Sequence, residues 1–372
     1  MTTNKGRFGV KVHLSHTIFV IIVLGLLSGC SNRTLATPSM TIASPVVPTI
    51  TSLSITPTFA TNTPQAPATT PPLHPLETQP TVSDPRSELQ SGIYLVFWMD
   101  GLLYLSSLEQ PLGVRLASVD YPFARSSPDG GRLAFSSKGE LMLYEMASGK
   151  VTKLSGLQKG NSQPSWSPDG KSLVYTHNDE ELVDSSLYVV NVKDNNPIRI
   201  TSWPTIERAP AWSPDGKWIA FASDHAKINR TDGTYLGVTE IYLLDTGCLA
   251  EPTSCVNEIT QITDMGTDGD SDGPSWSSDG KQLLFMCGSL LSDGNYQKDI
   301  CSIRVDGSEL KKITNTPENE LWPMWSPDGK YIAFTREDPE TRTMDIAVMQ
   351  TTGQSITLVT HTPESDEIFA FW

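Results

Sequence analysis

Charge is sparse in this chain, and basic runs are absent. Asp, Glu, Lys and Arg make only 19 % of the 372 residues, with 27 basic against 42 acidic, a net of −15. Without a Lys- or Arg-rich stretch the electrostatic footprint of a nucleic-acid-binding protein is missing, and nucleic acid is not an expected partner. Long apolar runs are also lacking: the stretch at residues 17–27 counts eleven, well short of the ~20 residues that a membrane-spanning helix needs. After residue 90 no twelve-residue window carries an amphipathic helical period, which excludes a helical bundle. There is no Gly-x-Ser-x-Gly elbow and no Cys-x-x-Cys pair, so an α/β-hydrolase nucleophile and a dithiol redox centre are excluded. What the chain has instead is 27 Gly, 27 Pro and nine Trp, a turn-rich, strand-friendly composition with material for a core.

The first thirty residues read as a targeting segment. Lys5, Arg7 and Lys11 form a basic start without an acid, and the short apolar run suits the h-region of a secretory signal. It closes on Leu27-Ser28-Gly29-Cys30, which resembles the lipobox of bacterial lipoproteins. The resemblance implies cleavage after residue 29, lipid on Cys30 and export to the periplasm or cell exterior, anchored to the membrane. Removing residues 1–29 leaves 24 basic against 42 acidic residues, or −18. Residues 30–90 are Thr-, Ser- and Pro-rich, with stretches such as Thr69-Thr70-Pro71-Pro72. Such a segment has too little apolar surface to offset its ordering entropy and is expected to be a disordered tether. About 60 residues of this kind span roughly 40–45 Å as a coil.

From residue 91 onward the chain is built of repeats. Ser127-Pro128-Asp129-Gly130 recurs at Ser167-Pro168-Asp169-Gly170, Ser213-Pro214-Asp215-Gly216 and Ser326-Pro327-Asp328-Gly329, with a variant at Ser277-Ser278-Asp279-Gly280. Ser, Pro and Gly in this order suit a type I turn. Trp166, Trp212, Trp276 and Trp325 each stand directly before the turn serine. Each turn is followed by an apolar β-run such as Ile219-Ala220-Phe221, then by a second run such as Ile241-Tyr242-Leu243-Leu244, then by a weaker one carrying Ile-Thr, as at Ile200-Thr201, Ile262-Thr263 and Ile313-Thr314. Each unit therefore reads as four short strands, and a period of 40–50 residues means an all-β propeller. The C-terminal run Ile368-Phe369-Ala370-Phe371-Trp372 lacks a following turn, and the first runs, at residues 93–98 and 102–105, lack a preceding strand. Pairing them completes a sixth blade, with Trp372 in the place of the repeat tryptophan.

The repeat Trp-Ser-Pro-Asp-Gly-Lys followed by an aliphatic-Ala-Phe strand resembles the WD40-like repeat of TolB-type propellers over about residues 91–372, with Ser126 in place of the first tryptophan. The same repeat occurs in the propeller of prolyl-oligopeptidase-type peptidases. The resemblance implies a monomeric propeller that makes protein–protein contacts in the cell envelope. A non-catalytic binding module is the expected function, with a glycan or small-ligand sensor, or a carbohydrate-active hydrolase or lyase using channel carboxylates, as alternatives.

The repeat tryptophans are expected to pack between blades, and the turn aspartates to accept backbone N–H groups. The four cysteines of the repeat region read as two disulfides, Cys248–Cys255 and Cys287–Cys301, with other pairings or free thiols open. Acids gather just before the inner strands: Asp120, Glu207, Asp270, Asp272, Glu318, Glu320, Glu364, Asp366 and Glu367, with Arg208 as the one neighbouring cation. That set predicts an acidic channel mouth for a basic peptide or a divalent cation. Asp268, Asp270 and Asp272, ahead of Gly273 and Asp279, are similar in spacing to an EF-hand loop and make calcium a candidate cofactor, although no helices flank them. His177, His225 and His361 fall at different points of their units, which speaks against a shared metal centre.

Overall fold

The computed structural model describes residues 94–371 apart from 108–109, 120–122, 155–156, 179–183, 228–237, 267–268, 292–295, 339, 354 and 361–365. The expected signal peptide, Cys30 and the Thr/Pro-rich tether lie outside the described residues. So do Asp120, Asp268, His361, Glu364 and Trp372.

The described residues form six four-stranded antiparallel sheets, each a blade. Blade 1 takes its inner strand, Glu367–Phe371, from the C-terminal end and its other strands, Tyr94–Met99, Leu102–Ser107 and Gln110–Ser118, from the N-terminal end. The register Phe97↔Phe369, Trp98↔Ile368 and Met99↔Glu367 closes it as the sequence predicts. The inner strands of blades 2 to 6 are Arg125–Ser126, Asn161–Trp166, Glu207–Trp212, Gly269–Trp276 and Asn319–Trp325. Each inner strand touches the inner strand of the next blade, and the last returns to the first, so the six strands form a closed ring.

The core lies between blades rather than within them. Six buried apolar clusters fill the six blade-to-blade junctions; the one between blades 3 and 4, for example, joins Val174 and Leu187 to Phe221 and Leu244. The aromatic that ends each aliphatic-Ala-Phe run supplies much of this layer: Phe135, Phe221, Phe285 and Phe334 are fully buried, as is Tyr175 of blade 3. Burying one such side chain stabilises by about 2–3 kcal/mol.

The Ser-Pro-Asp-Gly turns repeat to the level of single hydrogen bonds. In blade 3, Gly170 N donates to Ser167 O at 2.9 Å, the Ser167 hydroxyl donates to Asp169 Oδ1 at 2.7 Å, and Asp169 accepts Lys171 N at 3.1 Å. The Ser-hydroxyl bond heads the causes that hold the Asp169 and Asp328 carboxyls below the usual aspartate range. The turns also stack around the ring. Gly216 has φ +78°, and a Cβ there would meet Pro168 of the preceding turn at 3.2 Å, so glycine is required on two counts.

Both expected disulfides are present. Cys248–Cys255 ties together two short 3-10 helices, Thr246–Ala250 and Pro252–Asn257, in blade 4. Cys287–Cys301 joins the two middle strands of blade 5. Loops of 8 and 15 residues closed in this way stabilise by about 2.5 and 3 kcal/mol on the chain-entropy model.

Candidate functional site

The ring of inner strands leaves a central channel with two faces. In blades 3 to 6 each inner strand ends at its repeat tryptophan and turn on one face, the turn face, and begins on the other, the acid face.

On the acid face, most of the acids are tied into the blade junctions. Glu207 opens the inner strand of blade 4 and is fully buried. Its carboxylate accepts the hydroxyls of Thr201, at 3.0 Å, and Thr205. Thr201 follows the outer strand of blade 3, Pro197–Arg199, and also accepts Leu187 N at 2.8 Å, so one hydroxyl ties a middle strand of that blade to the next blade. Blade 6 repeats the arrangement: Thr314 accepts Ile300 N at 2.8 Å and donates to Glu320 at 3.0 Å, and Thr316 donates to the same carboxylate. Burial raises Glu207 to about 8 and Glu320 to about 7. At the junction of blades 4 and 5 the carboxylate comes from Glu240, which accepts Thr263 Oγ1 at 2.6 Å and Ser271 Oγ at 3.3 Å. Glu367, also buried, opens the inner strand of blade 1, and Asp366 accepts Met344 N at 3.1 Å.

The structure adds cations from outside those segments. Arg208 does pair with Asp272, at 3.0 Å, but Lys298 pairs with Asp270 and Arg336 with Glu318. Both cations come from the middle strands of their blades, distant in sequence from the segments that hold the acids. Of the calcium-like spacing, Asp268 lies outside the described residues. Asp270 and Asp272 lie on a strand, Gly269–Trp276, not on an ion-wrapping coil. Asp270 accepts Thr239 N at 2.7 Å beside Lys298, Asp272 accepts Gly273 N at 2.8 Å beside Arg208, and Asp279 serves its turn. Among the described residues no group of three or more His, Cys, Asp or Glu is placed to hold a metal. His177 contacts Asn161 at 2.8 Å in blade 3, whereas His225 stacks on Trp203 with ring centres 3.7 Å apart in blade 4.

Midway along the channel the inner strands bulge at a feature that the sequence reading missed. Pro164, Pro210, Pro274 and Pro323 each stand two residues before a repeat tryptophan. The ladder skips at all four, between Ser162 and Ser165, Arg208 and Ala211, Asp272 and Ser275, and Leu321 and Met324. Proline has no N–H to offer the ladder, so it sits in a bulge at little cost. The residue before each proline is left-handed: Gln163 (φ 53°), Ala209 (51°), Trp322 (51°) and Gly273 (61°). For the three that are not glycine, this costs about 1–2 kcal/mol each. The Ala209 conformation is held by its N–H donating to Gln163 Oε1 at 2.8 Å, from one bulge to the next. Together with Phe123 and Arg125 the bulges line a small cavity of about 30 Å³, room for roughly one or two waters.

Next to it, on the turn face, lies a cavity of about 440 Å³. Trp166, Trp212, Trp276, Pro214 and Met324 line it together with Arg125, the charged residue among those described there. Two of the indoles bridge blades as expected: Trp166 Nε1 donates to Arg125 O at 3.1 Å and Trp276 Nε1 to Ala211 O at 2.9 Å. Trp212 packs against the cluster between blades 3 and 4 while its Nε1 donates within its own turn, to Gly216 O at 3.2 Å, and Trp325 packs against the cluster between blades 5 and 6. Arg132 lies over the Trp166 ring at 4.6 Å.

Comparison with known proteins agrees with this architecture. Residues 123–229 match the family model described as PD40, TolB beta propeller domain. The chain carries a TolB-like six-bladed propeller. The Tol-Pal system protein TolB of Francisella tularensis subsp. mediasiatica is 29 % identical over 228 residues, which is 59 % of this chain and 47 % of that protein. An uncharacterized protein of Agrobacterium fabrum is 28 % identical over 60 % of this chain and 69 % of its own length. This chain thus spans about half the length of the TolB proteins it matches. In fold it is similar to a putative TolB from Agrobacterium tumefaciens, at TM-score 0.55 and 21 % identity, covering 75 % of this chain and 98 % of that one. TolB from Acinetobacter baumannii gives TM-score 0.56 and 20 % identity over 74 % and 66 %.

Proposed function

We propose that this TolB-like propeller is a non-catalytic binding module for a protein partner in the cell envelope, held at the membrane by lipid on Cys30. The observation that carries the reading is the turn-face cavity, whose walls combine indole, proline, methionine and serine side chains around one guanidinium. Such walls hold a ligand by burial, hydrogen bonding and charge. On the acid face, offered by the sequence as the partner site, Glu207, Glu320, Asp270, Asp272, Glu318 and Asp366 are committed to threonine hydroxyls, backbone N–H groups or paired cations. The name of the Tol-Pal relatives supports an envelope setting, and the two disulfides fit an oxidising compartment.

Two experiments test the reading. Cys30→Ser moves the protein from the membrane to the soluble fraction or stalls its processing; an equally membrane-bound and processed variant contradicts the anchor. Ser278→Trp, at an exposed position on the cavity rim, fills the mouth without touching the core. A partner captured from envelope extracts by the parent is lost with this variant; full retention contradicts the site.

A further inference from the structure

A separate cavity of about 590 Å³ lies between blades 3 and 4. Its volume falls within the ~300–1,000 Å³ of small-molecule sites. Its apolar lining joins Trp212 and Leu249 of blade 4 to Val189 and Ile198 of blade 3. Its polar lining comes from blade 3 and includes Asp169, Asn191, Asp194 and Asn196. No Lys, Arg or His lines it among the described residues.

Both sides of the cleft are fixed before any ligand arrives. Leu249 stands in the short helix Thr246–Ala250, which the Cys248–Cys255 bridge fastens to the helix after it. Thr246 Oγ1 donates to Gly216 O at 2.6 Å, and both cysteines are buried in the cluster against which Leu249 packs. On the blade 3 side, the turn after the strand Ser185–Asn191 winds around Asn191. The Asn191 Oδ1 accepts Lys193 N at 2.9 Å and Asp194 N at 3.4 Å, and its carbonyl accepts Asn195 N at 3.0 Å. A preformed site loses less affinity to ordering on binding.

The turn leaves polar groups over. Asp194 and Asn196 are exposed, and their side chains make no hydrogen bond or ion pair among the described residues. Asn191 has spent its amide oxygen on the turn, which leaves its two amide N–H groups as donors. Carboxylate acceptors and amide groups thus stand beside an aliphatic wall. A sugar ring complements that order. It carries an apolar C–H face, and its neighbouring hydroxyls each donate and accept, so a pair of them can span one carboxylate or one amide. A peptide backbone offers only one N–H per residue, a thinner supply of donors. With carboxylates in the lining and no cation, a uronate or a sulfated sugar is repelled.

We infer that this cleft binds an uncharged sugar unit, its hydroxyls on Asp194, Asn196 and the Asn191 amide and its C–H face on Ile198 and Leu249. The inference does not rest on the partner reading above, because Ser278 lines the turn-face cavity and not this one.

The test screens the purified full chain on an array of uncharged, uronate-bearing and sulfated glycans. The strongest glycan and its free terminal disaccharide are then titrated by calorimetry, which separates recognition of a polymer from recognition of a small sugar. Uncharged glycans are expected to bind, and their uronate or sulfated counterparts at least tenfold more weakly. The double variant Asp194→Ala with Asn196→Ala, at two exposed positions, should weaken binding at least tenfold with an unchanged thermal melt. Ile198→Trp, which fills the cleft, should do the same, whereas Ser278→Trp should bind sugar like the parent. Absence of glycan binding, equal binding of acidic and uncharged glycans, affinity retained in both cleft variants, or displacement by a Lys-rich peptide as effective as by the sugar itself overturns the inference. A protein partner lost with Ser278→Trp but kept by the cleft variants leaves the two sites independent, as expected here.

Discussion

Thr201 donates its hydroxyl to the buried carboxylate of Glu207 at 3.0 Å while accepting Leu187 N–H at 2.8 Å, and so connects a middle strand of blade 3 to the inner strand of blade 4. Its Oγ1 has no equal substitute among apolar side chains. Thr201→Val keeps the shape but orphans a buried N–H and removes one of the donors to the carboxylate, at a cost of about 2–3 kcal/mol. Thr201→Ser keeps the hydroxyl and should lose under about 1 kcal/mol. Urea unfolding of the two variants checks the difference; equal losses would show that the hydroxyl is not what matters.

The same junctions set a pH dependence. Burial raises Glu207 to about 8 and Glu320 to about 7, from an ordinary value of 4.5. The folded chain then holds protons that the unfolded chain releases, so this contribution to stability is complete below about pH 4.5 and is lost as pH rises through 7 to 8. Asp224 opposes ionisation of Glu207 while Arg199 favours it; Asp299 and Arg336 play those parts for Glu320. Tm should therefore fall between pH 5 and 8.5, and the pair Glu207→Gln and Glu320→Gln should flatten the curve. Parallel curves for parent and variant would refute the assignment.

Trp166 provides a measure of the blade-to-blade indoles. Replacement by Ala removes a buried aromatic and should cost about 3–5 kcal/mol. Replacement by Phe keeps most of the area but drops the bond to Arg125 O and should cost nearer 1 kcal/mol for that bond. Denaturation midpoints at a common m-value separate the two.

Closure makes a sharper demand. Deleting residues 367–372 removes the inner strand of blade 1 and exposes the edge of Tyr94–Met99. Because the inner strands form one ring, the loss should be global, with a large fall in Tm rather than a small early transition. An unchanged melt would contradict a closed ring.

How much was legible beforehand follows from how local each signal is. The Trp-Ser-Pro-Asp-Gly unit, the strand order within blades and the composite first blade could be read because each is a short pattern repeated at a fixed spacing. Burial of the acids could not, since a glutamate at a strand start looks the same whether it meets water or a threonine. A signal was nonetheless present: Thr201 and Glu207, like Thr314 and Glu320, are six residues apart, and each Thr follows an Ile. Lys298 and Arg336 were missed as partners because they sit on middle strands, where only the fold brings them to Asp270 and Glu318. The proline two residues before each repeat tryptophan was equally visible, and its meaning emerges only when the four bulges gather around one small cavity.

Site-specific photo-crosslinking in intact cells tests the central claim, that a protein partner docks at the turn face, most directly. A benzophenone side chain placed at Ser278, on the cavity rim, is compared with one at the exposed Asn315, near the acid-bearing start of blade 6. The account predicts a discrete crosslinked protein from position 278 and none from position 315. The reverse pattern, or the same product from both positions, would contradict it.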